Sequence, residues 1–302
     1  MALTLGSRRG FLAPSRGGVF AQNDKMTVLE VLQSTAAYFK KRGIENPRLN
    51  AEHLLAHSLG RKRLDVYLEF ERDLAEPELA PLRELVRRRG QNEPLQHLLG
   101  TVEFCGNIFL CDKRALVPRP ETEEFVGLVE SKIVNRESRI VDLGTGSGVI
   151  ALSLAQKFPE AEIIATDISA DALLLARENA VRLGTARVQF LKSDLLENVG
   201  GKFDLIVANL PYISRHDRDQ LAPEVLRDPE VALFAGVKGD EIIRRLIETA
   251  PLHLNAGGLL ALEIGLGQEA ALIELLRQKN YRDIETKNDY SGRTRFLFAR
   301  YG

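Results

Sequence analysis

The spacing of hydrophobic residues changes character twice along this chain. From Met26 to about Gln91 it is helical: Leu29, Val31, Leu32, Ala36 and Phe39 form one apolar stripe, and Met26 opens the first helix. Asn50 is placed to cap a second helix that carries Leu54, Leu55 and Leu59 and ends at Gly60. Further helical runs cover 64–70 and Glu76–Arg89. Between 101 and 117 the pattern breaks into short β-type runs, 102–104 and Asn107–Leu110, on either side of Gly106, which predicts a hairpin. Val117-Pro118-Arg119-Pro120 then forces extended backbone and reads as a connector.

From about Glu121 onward, strand-length apolar runs alternate with helical ones. Strands are predicted at Arg139–Leu143, 162–166, 187–191, 203–208 and 258–264, and helices at 147–158, 170–183 and 240–254. Such alternation implies a parallel sheet covered on both faces. Two last β runs, 281–287 and 294–299, flank the turn-rich Asn288-Asp289-Tyr290-Ser291-Gly292 and predict a closing antiparallel hairpin.

Composition narrows the function classes. The chain has 302 residues, 44% hydrophobic and 27% charged, ordinary for a globular protein with one large or two modest cores. A net charge of −1 argues against long duplex nucleic acid as the main partner. The basic clusters Arg61-Lys62-Arg63 and Arg87-Arg88-Arg89 read as solvated helix faces. No apolar stretch is long enough to span a bilayer. The 2 cysteines, Cys105 and Cys111, fit neither a zinc pattern nor a disulfide framework, so a reducing, cytoplasmic compartment is expected. His53 and His57 have helical metal-pair spacing but lack the zincin glutamate, and no metal is expected. Residues 1–25 are rich in Gly, Ser and Arg, with Asp24 the only acid; a disordered extension is expected, with a transit peptide or a misplaced start site as alternatives.

In a doubly wound sheet, ligands sit beyond the carboxyl ends of the strands. The chemistry-bearing motifs fall at such ends. Asp142-Leu143-Gly144-Thr145-Gly146-Ser147-Gly148 follows the first predicted strand and opens a helix, so its backbone can approach a ligand closely. Gly146 to Ala151 also reads as a dinucleotide fingerprint, so the loop indicates a nucleotide-like cofactor without saying which. Asp167, ending the second strand, is placed to accept hydrogen bonds from ribose hydroxyls, or else to cap the following helix. Asp194 and Leu195 follow the third strand as a polar edge and an apolar cover for adenine; Asp194 is otherwise a plain loop acid.

Asn209-Leu210-Pro211-Tyr212 separates the cofactor classes. Hydride transfer has no evident need of it, whereas methyl transfer to an amide does. An amide lone pair is delocalised into its carbonyl, so the nitrogen is a poor nucleophile. Two acceptors, the Asn209 side-chain oxygen and the Leu210 carbonyl, would bind its two N–H groups and favour pyramidal attack. Tyr212 would stack on the planar group, and Pro211 would fix the turn. The leading expectation is methyl transfer to a planar NH2 group. A silent cofactor-binding adaptor and an NAD-linked oxidoreductase are the weaker readings.

The tetrapeptide, the Gly144 to Gly148 loop and Asp167 resemble class I S-adenosylmethionine-dependent methyltransferases. Glu93-Pro94-Leu95-Gln96-His97, Gly100 to Phe104, Leu116 to Glu123 and Leu262-Glu263-Ile264-Gly265 with Gln268 resemble the PrmC/HemK family, in order over residues 26–302. The resemblance implies an α/β class I methyltransferase fold: a Rossmann-like, mostly parallel seven-stranded sheet with an antiparallel C-terminal hairpin, plus a small N-terminal helical domain. It divides the chain into a substrate-recognition domain at 26–95, a hairpin connector at 96–120 and a catalytic domain at 121–302. It implies S-adenosylmethionine as cofactor, bound by Gly144, Thr145, Gly146, Ser147, Gly148, Asp167, Asp194, Leu195 and Asn209. The substrate would be the glutamine of the Gly-Gly-Gln motif of class I peptide chain release factors, held by Asn209, Leu210, Pro211 and Tyr212. Asn209, Pro211 and Tyr212 are the catalytic candidates. A monomer that needs no nucleic acid is expected. The family usually has proline where Leu210 stands, and Asn-Leu-Pro-Tyr also occurs in ribosomal RNA adenine dimethyltransferases. Methylation of adenine N6 in RNA is therefore the alternative.

Overall fold

Thr27 and Glu30 start the described chain with a reciprocal cap. The Thr27 hydroxyl accepts the Glu30 N–H (3.3 Å), and the Glu30 carboxylate accepts the Thr27 N–H (2.9 Å). The computed structural model describes residues 25–133 and 135–302, which divide after Leu99 into two compact units. The extension expected at residues 1–25 therefore lies, apart from Lys25, outside the described residues.

The first unit contains β1 (Met26–Thr27), α1 (Val28–Lys41), α2 (Pro47–Ser58), β2 (Asp73–Leu74), α3 (Glu76–Arg89) and α4 (Leu95–Leu99). The apolar stripe of α1 closes on Leu54, Leu55, Leu79, Leu82 and Val86 in one core. Three expectations need correction. Met26 lies in a two-residue strand paired with Leu74, and the helix starts at Val28. Asn50 caps nothing: α2 begins at Pro47, and buried Asn50 donates to the carbonyls of Glu45 and Asn46 and accepts from Arg89 Nε (2.7 Å). The run at 64–70 forms only a 3-10 turn, Asp65–Glu69, which sinks Val66 into the core while Leu64 and Leu68 face solvent.

The second unit opens with the hairpin β3 (Thr101–Phe104) and β4 (Asn107–Leu110), then α5 (Pro120–Lys132). It continues through β5 (Arg139–Leu143), α6 (Val149–Lys157), β6 (Glu162–Asp167), α7 (Ala170–Arg182), β7 (Gln189–Lys192), β8 (Phe203–Asn209), α8 (Glu230–Leu233), α9 (Glu241–Thr249), β9 (Leu254–Glu263), α10 (Glu269–Gln278), β10 (Tyr281–Asn288) and β11 (Thr294–Tyr301). The seven-stranded sheet has the order β10-β11-β9-β8-β5-β6-β7. The five strands from β9 to β7 are parallel; β11 alone runs against its neighbours on both sides. The expected fold class is thus observed.

Successive residues of β5 bury on opposite faces: Ile140 joins α5, α6 and the hairpin phenylalanines Phe104 and Phe109, and Val141 joins α9 and α10. The β3–β4 hairpin is tied into this unit by Asn179 of α7, which accepts the Leu110 N–H (2.6 Å) and donates to the Ser147 carbonyl (2.9 Å). Helices α5 and α10 were not anticipated. Helix α5 starts on the proline of the connector, and its first turn bears Glu121 and Glu123, so a short buried stripe hides among charges. The helix expected at 240–254 stops at Thr249; Pro251 turns the chain through a 3-10 segment, and β9 starts at Leu254.

Candidate active site

One cleft opens at the carboxyl ends of β5, β6 and β8, and Gly144, Thr145, Gly146, Ser147, Asp167, Asp194, Leu195, Asn209, Leu210 and Pro211 all line it. Of the sequence-predicted site residues, only Gly148 and Tyr212 lie off its wall.

The turn after β5 depends on backbone freedom at two positions. Gly144 has φ +69°, and a Cβ there would meet Leu210 Cδ2 at 2.9 Å. Gly148 has φ +87°, and a Cβ would press on Leu152 and Ala176 at 3.0 and 3.2 Å. At Gly148 the absent side chain also allows the close approach of α6 to α7. Beneath the turn, buried Asp142 accepts the Thr145 hydroxyl (2.6 Å) and the Ala151 N–H (3.2 Å) through Oδ2, and its Oδ1 has no partner among the described residues. Burial pushes its carboxyl up to about 7.

Asp167 ends β6 with both oxygens engaged by backbone: Oδ2 accepts the Gly146 N–H (2.9 Å) and Oδ1 the Ser169 N–H (2.8 Å). Ser169, not Asp167, caps α7, because its hydroxyl accepts the Ala172 N–H (3.2 Å). The capping alternative for Asp167 is thereby removed, and its carboxylate is held at the cleft wall. Asp194 accepts from Arg245 (2.9 Å), so its carboxylate is already paired with a cation that lines the same cleft. Leu195 has φ +48°, a left-handed conformation uncommon for leucine, typically costing ~1–3 kcal/mol and concentrated at functional sites.

On the other side, Asn209 Nδ2 donates to Glu263 Oε2 (2.9 Å) and Thr122 Oγ1 (3.0 Å), while the Thr122 hydroxyl donates to the same Glu263 oxygen (2.8 Å). Neither Asn209 Oδ1 nor the Leu210 carbonyl receives a hydrogen bond from the described residues. Both acceptors are therefore unengaged on residues that line the cleft. Tyr212 is partly buried against the core; its hydroxyl donates to Glu263 Oε1 and accepts from Arg295, each at 3.4 Å. Burial and the Glu263 charge hold this phenol above the usual tyrosine range. Its hydroxyl thereby completes the shell of Glu263. Gln268 fixes the loop backbone by donating to the carbonyls of Tyr212 and Gly239 (3.0 Å each). Asp228, buried and pushed up to about 6, accepts from Val117 N–H (3.3 Å) and Arg119 (2.8 Å), holding the connector to the cleft.

Sequence reasoning assigned no role to Thr122, Asp142, Glu263 or Asp228. Glu263 carried a readable signal: a lone carboxylate ending a strand-length apolar run. Asp228 carried none.

Residues 30–100 match the family described as PrmC N-terminal domain, and residues 126–239 match the one described as Methyltransferase small domain. The protein named release factor glutamine methyltransferase in Geobacter sulfurreducens is 39% identical over 91% of this chain and 97% of its own length. Its namesake in Escherichia coli is 37% identical over 85% of this chain and 93% of that one. The chain belongs to the release factor glutamine methyltransferase family. The resemblance to PrmC/HemK proteins is thereby established over both units. Among solved structures, the catalytic domain of hMettl16 in complex with MAT2A 3'UTR hairpin 6 has a TM-score of 0.55 at 15% identity, covering 74% of this chain and 82% of that one, a likeness of fold alone.

The cofactor of this family is S-adenosylmethionine, and the cleft suits it. A carboxylate, Asp167, apolar side chains, Leu195 and Ile168, and the main chain of the glycine turn line the cleft together, a set that fits a ligand with hydroxyl, aromatic and polar parts.

Proposed function

We propose that this chain methylates the side-chain amide nitrogen of the glutamine in the Gly-Gly-Gln motif of class I peptide chain release factors. The observation that carries this reading is that Asn209, Leu210 and Pro211 line the same cleft as the glycine turn and Asp167. S-adenosylmethionine supplies, when bound, a methyl group on a positively charged sulfur.

The chain's own residues prepare the acceptor. Asn209 Oδ1 and the Leu210 carbonyl take one N–H each of the glutamine amide, which fixes the nitrogen and favours the pyramidal form in which its lone pair is free. Pro211 limits the backbone that carries that carbonyl. No general base is required before attack, because the methylated nitrogen gives up its extra proton readily. Leucine at position 210 supplies the same main-chain oxygen as the usual proline. In this reading Gly144, Thr145, Gly146, Ser147, Gly148, Asp167, Asp194, Leu195 and Asn209 contact the cofactor, and the helical unit, expected at 26–95, holds the release factor. The enzyme acts as a cytoplasmic monomer and needs no nucleic acid.

The test incubates the protein with methyl-labelled S-adenosylmethionine and either a release factor or ribosomal RNA, then maps the methyl group by mass spectrometry. Label on the Gly-Gly-Gln glutamine is expected. Label on adenine alone would overturn the assignment.

A further inference from the structure

Glutamine methylation, the reading on which this inference rests, requires the Asn209 carboxamide to present its oxygen to the cleft. A carboxamide has a donor end and an acceptor end of nearly equal size, and a rotation of half a turn exchanges them. The wrong end would set the Asn209 NH2 against the substrate NH2, donor against donor.

We propose that Glu263, with Thr122, is the positioning residue that selects the productive end. Glu263 is 2% exposed and does not line the cleft, and Thr122 is 3% exposed. The Thr122 hydroxyl spends its proton on Glu263 Oε2, so it meets Asn209 with a lone pair; Glu263, ionised, meets it with another. Both partners accept, and only the NH2 end of Asn209 satisfies them. The Tyr212 O–H occupies Oε1 and itself accepts from Arg295, which is shared with Asp289 (3.1 Å). Glu263 therefore accepts from Asn209, Thr122 and Tyr212 and donates to none of them.

Protonating Glu263 breaks this order. A proton on Oε2 meets the donors of Thr122 and Asn209; one on Oε1 meets the Tyr212 O–H. Burial, reinforced by Glu121 and opposed by Thr122, Arg295 and Tyr212, pushes this carboxyl up to about 7. The wild-type kcat is thus expected to fall as pH drops through about 7.

The experiment measures kcat and KM for release-factor methylation from pH 5.5 to 8.5 in the wild type, Glu263→Gln and Thr122→Val. Cofactor Kd by calorimetry and thermal unfolding are recorded for each. Glu263→Gln is expected to lose ~10- to 100-fold in kcat at pH 8, with cofactor Kd unchanged and the acid limb abolished. Thr122→Val is expected to lose ~3- to 10-fold, the effect of one hydrogen bond, and to keep the limb. If Glu263→Gln unfolds, the Thr122→Val kcat and the wild-type acid limb carry the test. A Glu263→Gln enzyme with near-normal kcat, or with the wild-type limb intact, overturns the inference, as does a Thr122→Val loss confined to KM. Failure of the wild type to methylate glutamine at all would instead overturn the functional assignment beneath it.

Discussion

The two sides of the cleft are built by opposite means. On the side of β5, β6 and β7, the turn from Gly144 to Gly148 is held mostly through its main chain: Asp142 Oδ2 accepts from Thr145 and Ala151, close in the chain, and Asp167 accepts the Gly146 N–H from 21 residues away. On the side of β8 and β9, Asn209 is held by Thr122 and Glu263, separated from it by 87 and 54 residues. A short motif suffices to make a surface that receives a ligand by its main chain. Choosing which end of one amide faces a substrate takes side chains drawn from three elements.

The contrast is broken most severely by Asn209→Ala. Turnover is expected to fall by ~10²-fold or more, as when one transition-state hydrogen bond is lost, with cofactor affinity largely unchanged. Steady-state kinetics and calorimetry on the same preparation check this; near-normal kcat would remove Asn209 from the mechanism. Asp167→Ala is the converse. It should weaken cofactor binding by ~1.5–3 kcal/mol, the range for hydrogen bonds to a charged group, while kcat at saturating cofactor changes little. An unchanged Kd would refute the ribose role.

The smallest effect concerns stability. Asp142 titrates near 7 when folded, against roughly 3.9 unfolded. Between these values the native state holds more protons than the unfolded one, so this group makes stability fall as pH rises, and its cost is complete above about 7. Asn at this position keeps an acceptor for Thr145 and Ala151 without the buried charge. Asp142→Asn should therefore gain stability relative to the wild type from pH 5 to pH 8 in urea unfolding of the cofactor-free protein. Parallel pH profiles would show that Asp142 is not the titrating group.

The same contrast explains what could be read from the sequence. The alternation of β8, β5 and β6 with α6 and α7 was legible, because the strands carry short buried apolar runs and the helices between them bury a regular apolar face. The glycine turn, Asp167 and Asn209 were legible for the same reason: each stands where an apolar run stops. Helix α5 was not, since Thr122, Phe125, Val126 and Val129 are a narrow buried stripe within an acidic segment. Missing α5 meant missing Thr122 and, with it, the network that gives Glu263 a purpose. Gly148 and Tyr212 were singled out by motif, and what the motif did not reveal is that the first also spaces two helices and the second also partners a buried acid. Spacing along the chain identifies a motif's members but not which way each one faces.

The position of β11 between β9 and β10 ties the acceptor loop to both faces of the sheet. It delivers Arg295 to Tyr212, while its Phe296 and Phe298 enter one core and its Leu297 and Ala299 the other. A substitution that loosens this strand therefore reaches the acceptor loop by two routes, through the Arg295 contact and through the edge of β9 that it pairs.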